Sequence, residues 1–236
     1  MKTFAFVFAR GGSKGIPDKN IRDFAGMPLL GYSLKIASET PGIDRCFVST
    51  ESAKIADIAR FYGATVIPRP PELATDESNE WLAWQHAVDW VLSQGLGFDR
   101  FVSIPATSPL REVIDVSACL ESLKNDVDMV VTMTPAQRSP WFNMVKVDES
   151  GFVNVLVDGD AGGVIRRQDA PMAFDLTTVA YVTRPEFILS NDSFWDGRVF
   201  GVTIPNERAI DIDTQFDFKI AEYLMQERVE GTGRSC

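Results

Sequence analysis

An apolar run, Phe4-Ala5-Phe6-Val7-Phe8-Ala9, leads without a break into Arg10-Gly11-Gly12-Ser13-Lys14-Gly15-Ile16-Pro17-Asp18-Lys19-Asn20. A strand that is apolar at every position, not at alternate ones, is buried on both faces, as in parallel sheets covered by helices. The glycines that follow let backbone N–H groups crowd around oxyanions with no Cβ in the way, and Arg10, Lys14 and Lys19 add charge that glycine lacks. The plain alternative is an ordinary strand-to-helix turn with surface cations. Two adjacent glycines and three basic side chains in one loop weigh against it. The loop lacks the Gly-Lys-Ser/Thr ending of a P-loop and the third glycine of the dinucleotide fingerprint.

Downstream, strands and helices alternate. Pro28 to Ser38 reads as a helix with proline at its first turn, and Ser52 to Tyr62 as a second, with Ile55, Ile58, Ala59 and Tyr62 spaced by three and four. A longer helix runs from Ser78 to Leu92 with Trp81, Trp84, Val88 and Val91 on one face, and Val113 to Leu123 is a fourth. Cys46 to Ser49, Ala64 to Ile67, Arg100 to Ile104 and Met129 to Met133 are the intervening strands. The alternation predicts a Rossmann-like, mainly parallel sheet with helices on both faces. After Thr134 the rhythm breaks, and residues 138–169 read as a small antiparallel excursion. No linker divides residues 1–236, so a single domain is expected.

Charge narrows the partners. A net charge of -10 opposes nucleic acid and anionic membranes, both of which need an exposed basic face. Cys46, Cys119 and Cys236 have neither metal-type spacing nor even pairing, which reads as reduced thiols in a cytoplasm. No signal-peptide pattern or membrane-length apolar run is present, so a soluble, cytoplasmic protein is expected. The lone His86 reads as a packing or surface residue, and Trp81 and Trp84 as core and interface area.

In Asp211-Ile212-Asp213 the carboxylates stand two apart, so an extended backbone aims both at one face and Ile212 at the core. Such a pair suits Mg²⁺, which takes oxygen ligands and bridges carboxylates to phosphates. The competing role is Asp213 as the N-cap of the amphipathic stretch Thr214 to Met225. One carboxylate can serve both ends.

Five segments together resemble the acylneuraminate cytidylyltransferases, the CMP-sialic and CMP-nonulosonic acid synthetases. The pattern Ala-Arg-x-x-Ser-Lys-Gly-x-x-x-Lys-Asn stands at Ala9 to Asn20. Phe47-Val48-Ser49-Thr50-Glu51, Arg69-Pro70-Pro71-Glu72-Leu73-Ala74, Thr107-Ser108-Pro109-Leu110-Arg111 and Asp211-Ile212-Asp213-Thr214 follow in the family's order. The resemblance implies a nucleotidyltransferase-type fold and attack of the anomeric hydroxyl of an acidic keto-sugar on the α-phosphate of CTP, with pyrophosphate leaving. It assigns Arg10, Gly11, Gly12, Ser13 and Lys14 to the triphosphate, Lys19 to charge at the α-phosphate, and Asn20, Thr107 and Ser108 to the nucleotide. Arg69 falls near the cytosine, and Asp211 and Asp213 hold Mg²⁺. It also implies a homodimer, with residues 138–169 as the arm reaching the second subunit. A hairpin packed on its own domain is the alternative.

Arg111, Asp175, Thr177 and Thr178 fall where the family meets the sugar, and here the chain departs from it. Pro105 replaces a glutamine, and Asp175 replaces an arginine within Phe174-Asp175-Leu176-Thr177-Thr178-Val179-Ala180-Tyr181. That swap suggests a different ulosonic acid, one bearing an amine that Asp175 pairs with. Two other functions fit the loop: nucleotidyl transfer to another sugar or sugar phosphate, and a catalytically silent nucleotide-binding protein.

Overall fold

The computed structural model describes residues 1–13, 15–157, 164 and 166–233. In chain order the elements are β1 (Thr3–Phe8), the two-residue strands β2 (Asp23–Phe24) and β3 (Met27–Pro28), α1 (Leu29–Glu39), β4 (Arg45–Thr50), α2 (Ala53–Phe61), β5 (Thr65–Pro68), α3 (Glu80–Ser93), β6 (Arg100–Ser103), α4 (Val113–Ser122), β7 (Met129–Pro135), β8 (Val145–Val147), β9 (Val153–Val155), β10 (Phe174–Thr183), α5 (Pro185–Ser190), β11 (Val199–Thr203) and α6 (Gln215–Gly233). Seven strands form one sheet in the order β11-β7-β10-β6-β1-β4-β5. Every pairing in it is parallel except those of β10, which runs against β6 and β7.

The central strand explains the layers. Ala5 and Val7 point to one face, where small side chains let α1, α2 and α4 pack closely through Leu30, Leu34, Ile55, Ala59, Val116 and Leu120. Phe4 and Phe6 point to the other, against Phe47, Phe101 and the α3 residues Trp81, Trp84 and Val88. Burial on both faces is why the run carries no polar position. Phe6 stacks on Phe101 at 4.4 Å between ring centroids, and its truncation to alanine would cost about 3–5 kcal/mol. A third cluster joins Ile16, Phe24, Leu29, Leu110 and Ile212 to Phe218 and Ala221 of α6, clamping the C-terminal helix over the loop end of the sheet.

The expected α/β fold is present, with boundaries within two residues for most elements before Thr134. Pro28 sits just outside α1, and α6 starts where the amphipathic stretch predicted it. Beyond Thr134 the sequence reading has no counterpart for β10, α5 and β11. The excursion over 138–169 contains the antiparallel pair β8 and β9, whose residues are exposed apart from half-buried Val155. Burial pushes the Cys46 and Cys119 thiols up to about 12, as inert core sulfur requires; Cys236 lies outside the described residues. Among the described residues no helix is long and apolar enough to cross a membrane.

Candidate active site

Four strands end or pass at one rim of the sheet. β1 delivers Arg10 and the glycine loop, β5 delivers Arg69, β6 leads into Pro105, Ala106 and Thr107, and β10 passes with Thr178 and Tyr181. They enclose a cavity of about 330 Å³ that also takes in Ser13, Lys19, Asn20, Asp76 and Glu80. It lies beyond the carboxyl end of β1, whose neighbours β4 and β6 flank it on opposite sides, where open α/β sheets place ligands.

The glycine loop is held from several directions. Gly11 donates its N–H to Glu51 Oε1 at 2.6 Å, and Asn20 Nδ2 donates to the Arg10 carbonyl at 3.0 Å. Arg10 crosses the cavity to pair with Asp76 and donates to the Ala74 carbonyl at 3.3 Å. Gly15 packs so tightly on the Asp213 segment that a Cβ there would sit 2.3 Å from the Asp213 carbonyl oxygen. Lys19 spans the same junction, with Nζ donating to the Ile212 carbonyl at 2.5 Å and reaching Asp213 Oδ1 at 3.2 Å. Lys14 lies outside the described residues.

In the Asp-x-Asp segment Ile212 points to the core as expected, and neither carboxylate is among the residues lining the cavity. Ile212 is fully buried, and its N–H donates to the Thr107 carbonyl at 2.9 Å. Asp211 is largely enclosed, and burial raises its carboxyl. Hydrogen bonds from Thr107 and Thr178 and the charge of Lys19 oppose the rise, whereas Asp213 adds to it. Asp211 Oδ1 is buried with no partner, while the Asp213 side chain is 74% exposed. The predicted cap is not built on Asp213. Thr214 and Asp217 cap α6 instead, Asp217 Oδ2 accepting from Thr214 N and Oγ1 at 2.7 Å each. Two hard oxygen donors, one buried without a partner, fit Mg²⁺. Among the described residues no cluster of three or more acidic, His or Cys side chains forms a closed cage, so an ion there would complete its shell with phosphate and water.

Arg69 is no surface residue: at 8% exposure it lies under the cavity wall. Its Nε donates to Ser49 Oγ at 3.1 Å, its Nη2 to the Ser49 carbonyl at 2.7 Å, and its guanidinium lies over the Phe8 ring. Burial pulls its pKa down, against the charges of Glu51 and Glu80.

The sugar-side candidates scatter. Thr178 lines the cavity, and Ser108 sits behind it, the two hydroxyls 2.6 Å apart. Arg111 is 3% exposed, donates to Ser33 Oγ at 2.7 Å and to the carbonyls of Pro105 and Thr178, and is pushed down to about 9 by burial. It supports the cavity floor from behind. Thr177 is buried against Thr132 at 2.8 Å, and Asp175 lies exposed beside Thr134, outside the cavity lining. His86 does not line the cavity either.

Glu80 and Tyr181 were not foreseen. Glu80 opens the first turn of α3 with an exposed side chain, yet desolvation by the protein packed around it raises its carboxyl. The N–H of Trp84, at 3.2 Å, and the charge of Arg69 act the other way. Burial, followed by Glu80 and Asp211, pushes the Tyr181 phenol up to about 12. The signal available in the sequence was the four-residue spacing of Glu80 and Trp84, which puts the carboxylate on the same side of α3 as its core-facing indole.

A family model described as cytidylyltransferase matches residues 4–227. The chain is 32% identical over 229 residues to the post-translational flagellin modification protein B of Campylobacter coli, covering 94% of each. It is 33% identical over 225 residues to the CMP-N,N'-diacetyllegionaminic acid synthase of Campylobacter jejuni, covering 93% of each. A solved structure of CMP:2-keto-3-deoxy-manno-octonic acid synthetase in complex with CTP has the same fold, with a TM-score of 0.69 at 15% identity over 97% of this chain and 100% of that one.

Proposed function

The chain belongs to the cytidylyltransferase family, and from that premise we propose that it transfers CMP from CTP to the anomeric hydroxyl of an acidic keto-sugar of the nonulosonic or related ulosonic class, releasing pyrophosphate. The observation that carries this reading is the single cavity in which Arg10, Lys19, Asn20, Arg69 and Thr107 converge, with Asp213 in contact with Lys19. A polyphosphate is matched by its cations, and the paired carboxylates supply a place for the metal that accompanies it.

Arg10, the N–H groups of Gly12 and Ser13, and Lys14 hold the β- and γ-phosphates, while Gly11 anchors the loop through its N–H to Glu51. Lys19 stabilises negative charge as it builds on the α-phosphate and the departing oxygen, which is the main service a protein gives phosphoryl-type transfer. Asn20 fixes the loop and faces the nucleotide, and the buried Arg69 offers donors to the ring carbonyl of a pyrimidine. Thr107 and Ser108 position the sugar side of the nucleotide. Asp211 and Asp213 would hold Mg²⁺, which, when bound, would neutralise phosphate charge as a Lewis acid. Thr178 and, from behind, Arg111 and Thr177 shape the acceptor end.

A homodimer is part of the reading. Val145, Val147, Phe152 and Val153 leave the β8–β9 hairpin with exposed apolar side chains, which a second subunit would cover. The protein acts in the cytoplasm on small molecules, with no nucleic-acid or membrane partner.

The test is pyrophosphate release with Mg²⁺ and each of the four nucleoside triphosphates against a panel of nonulosonic and octulosonic acids. Release with CTP and one acid supports the reading. CTP binding without release under any pairing indicates a silent nucleotide-binding protein.

A further inference from the structure

A side cavity of about 180 Å³ opens beside the nucleotide cavity and shares Glu80 and Tyr181 with its wall. Its other walls are Trp81, Trp84 and Phe194, with Asp192 at the rim. We propose that this side cavity receives an ammonium-bearing substituent of the acceptor sugar, with Glu80 and Asp192 as its counter-charges; the assignment rests on the reaction proposed above.

Three observations carry it. The lining contains two carboxylates and no Lys, Arg or His, in contrast to the cationic main cavity, so an anionic group is repelled here and a cation is drawn in. Trp81, Trp84 and Tyr181 pack on one another as an aromatic wall, with Trp81 and Trp84 centroids 5.4 Å apart and Trp84 and Tyr181 5.7 Å apart, and aromatic rings attract cations. Both indole N–H groups are already engaged, Trp81 Nε1 with the Asn191 carbonyl at 2.7 Å and Trp84 Nε1 with Glu80 Oε1 at 3.2 Å, so the wall offers neither of them to a substituent carbonyl. At the end of α3 the Trp81 N–H is already taken by Asn79 Oδ1 at 3.0 Å, so that donor is not offered to an anion.

The site is also built before any ligand arrives. Asp196 Oδ2 accepts from Asp192 N at 3.1 Å and from Ser193 N at 2.9 Å, fixing the segment that carries Asp192 and Phe194. Because Glu80 and Tyr181 face both cavities, the occupant of one is in reach of a covalent link to the occupant of the other. An amine on the acceptor meets that geometry. Its partner is Glu80, not the Asp175 suggested by sequence, which lines neither cavity.

The experiment compares kcat/KM for pyrophosphate release with CTP, Mg²⁺ and two nonulosonic acids that differ only in one nitrogen substituent, a free amine in one and an acetamide in the other. The amine-bearing acid is expected to be preferred at least tenfold, and both Glu80→Gln and Asp192→Asn are expected to bring the ratio towards one, with melting curves confirming that each variant folds. Equal use of the two acids by the unaltered enzyme, or a ratio untouched by both substitutions, overturns the proposal. If no acid turns over, the reaction itself is refuted and the cavity is judged separately by tryptophan fluorescence during titration with tetramethylammonium chloride against sodium chloride. Saturable quenching that Glu80→Gln abolishes sustains the cation site, and its absence ends it.

Discussion

Arg208 grips Asp115 through two parallel contacts, Nη2 to Oδ1 at 2.9 Å and Nε to Oδ2 at 3.0 Å, around a carboxylate that is 3% exposed. Asp115 also accepts the Glu112 N–H at 2.9 Å and so caps α4. The pair thus ties α4 to the turn leading into Asp211. Replacing Asp115 by alanine leaves the partly buried Arg208 guanidinium with only its longer pairing to Glu112, at 3.6 Å, and uncaps a helix, and is expected to cost about 3 kcal/mol. At this chain length each kcal/mol lowers the melting temperature by about 2–4 °C, so thermal unfolding should show a fall of about 6–12 °C. A shift under about 2 °C would mean the pair is solvated and weak.

Gly15 has no side chain to contribute, yet its substitution should silence the site. A methyl group would have to occupy space 2.3 Å from the Asp213 carbonyl oxygen, so the glycine loop and the Asp-x-Asp segment must separate. A displacement of about 1 Å in such a constellation costs about 100-fold in rate. Gly15→Ala should therefore lower kcat/KM for pyrophosphate release by that order while the melting curve moves little. Near-normal rates would show that the two segments need not touch during turnover.

For Lys19, the expected signature is a split between turnover and binding. Lys19→Ala should lower kcat by about 10²–10³, the cost of losing one charge-stabilising donor, with only a modest rise in the KM for CTP, which other cations share. An unchanged kcat, measured at saturating CTP and acceptor, would remove Lys19 from the transfer step.

Asp211 contributes function at the expense of stability. Its Oδ1 is buried without a partner, so Asp211→Asn removes a desolvated charge without breaking any bond to that oxygen. The variant should need at least about tenfold more Mg²⁺ for half-maximal rate, with a melting temperature in chelator equal to or above that of the unaltered protein. A lower melting temperature would make Asp211 a structural anchor for Thr107 and Thr178 instead.

The first half of the fold was legible because its strands are uniformly apolar and its helices periodic, as in Phe4 to Phe8 and in Ile55, Ile58 and Ala59. β10 was missed for a physical reason: Thr177 is buried, but its hydroxyl is satisfied by Thr132, so a polar letter hides a core position. The register shift of β10 between Thr177 and Tyr181 further blurs its alternation. In the site, residues within one motif were readable because backbone spacing alone places them, as with Asp211 and Asp213. Arg111 and Glu80 were not, since their surroundings come from Ser33, Pro105, Arg69 and Tyr181, distant in sequence, and burial decided what each charge faces.

The cap of α6 makes the last prediction a matter of pH. Asp217 accepts three hydrogen bonds, from Thr214 N and Oγ1 at 2.7 Å each and from Asp213 N at 3.2 Å. Those bonds, the Thr214 hydroxyl first, hold its carboxyl below the usual Asp value against a smaller opposing effect of burial. A carboxyl whose pKa is lower in the folded state binds fewer protons folded than unfolded, so its stabilisation is complete above the unfolded value near 3.9 and is lost as pH falls through the folded one. Asp217→Ala should therefore be less stable than the parent by about 0.3–1 kcal/mol at pH 7, the usual worth of a carboxylate in a first helical turn. Urea midpoints taken stepwise from pH 7 to below pH 4 should converge for the two proteins as the acid range is entered. A gap that persists undiminished at the acid end would show that Asp217 acts through packing and not through its charge.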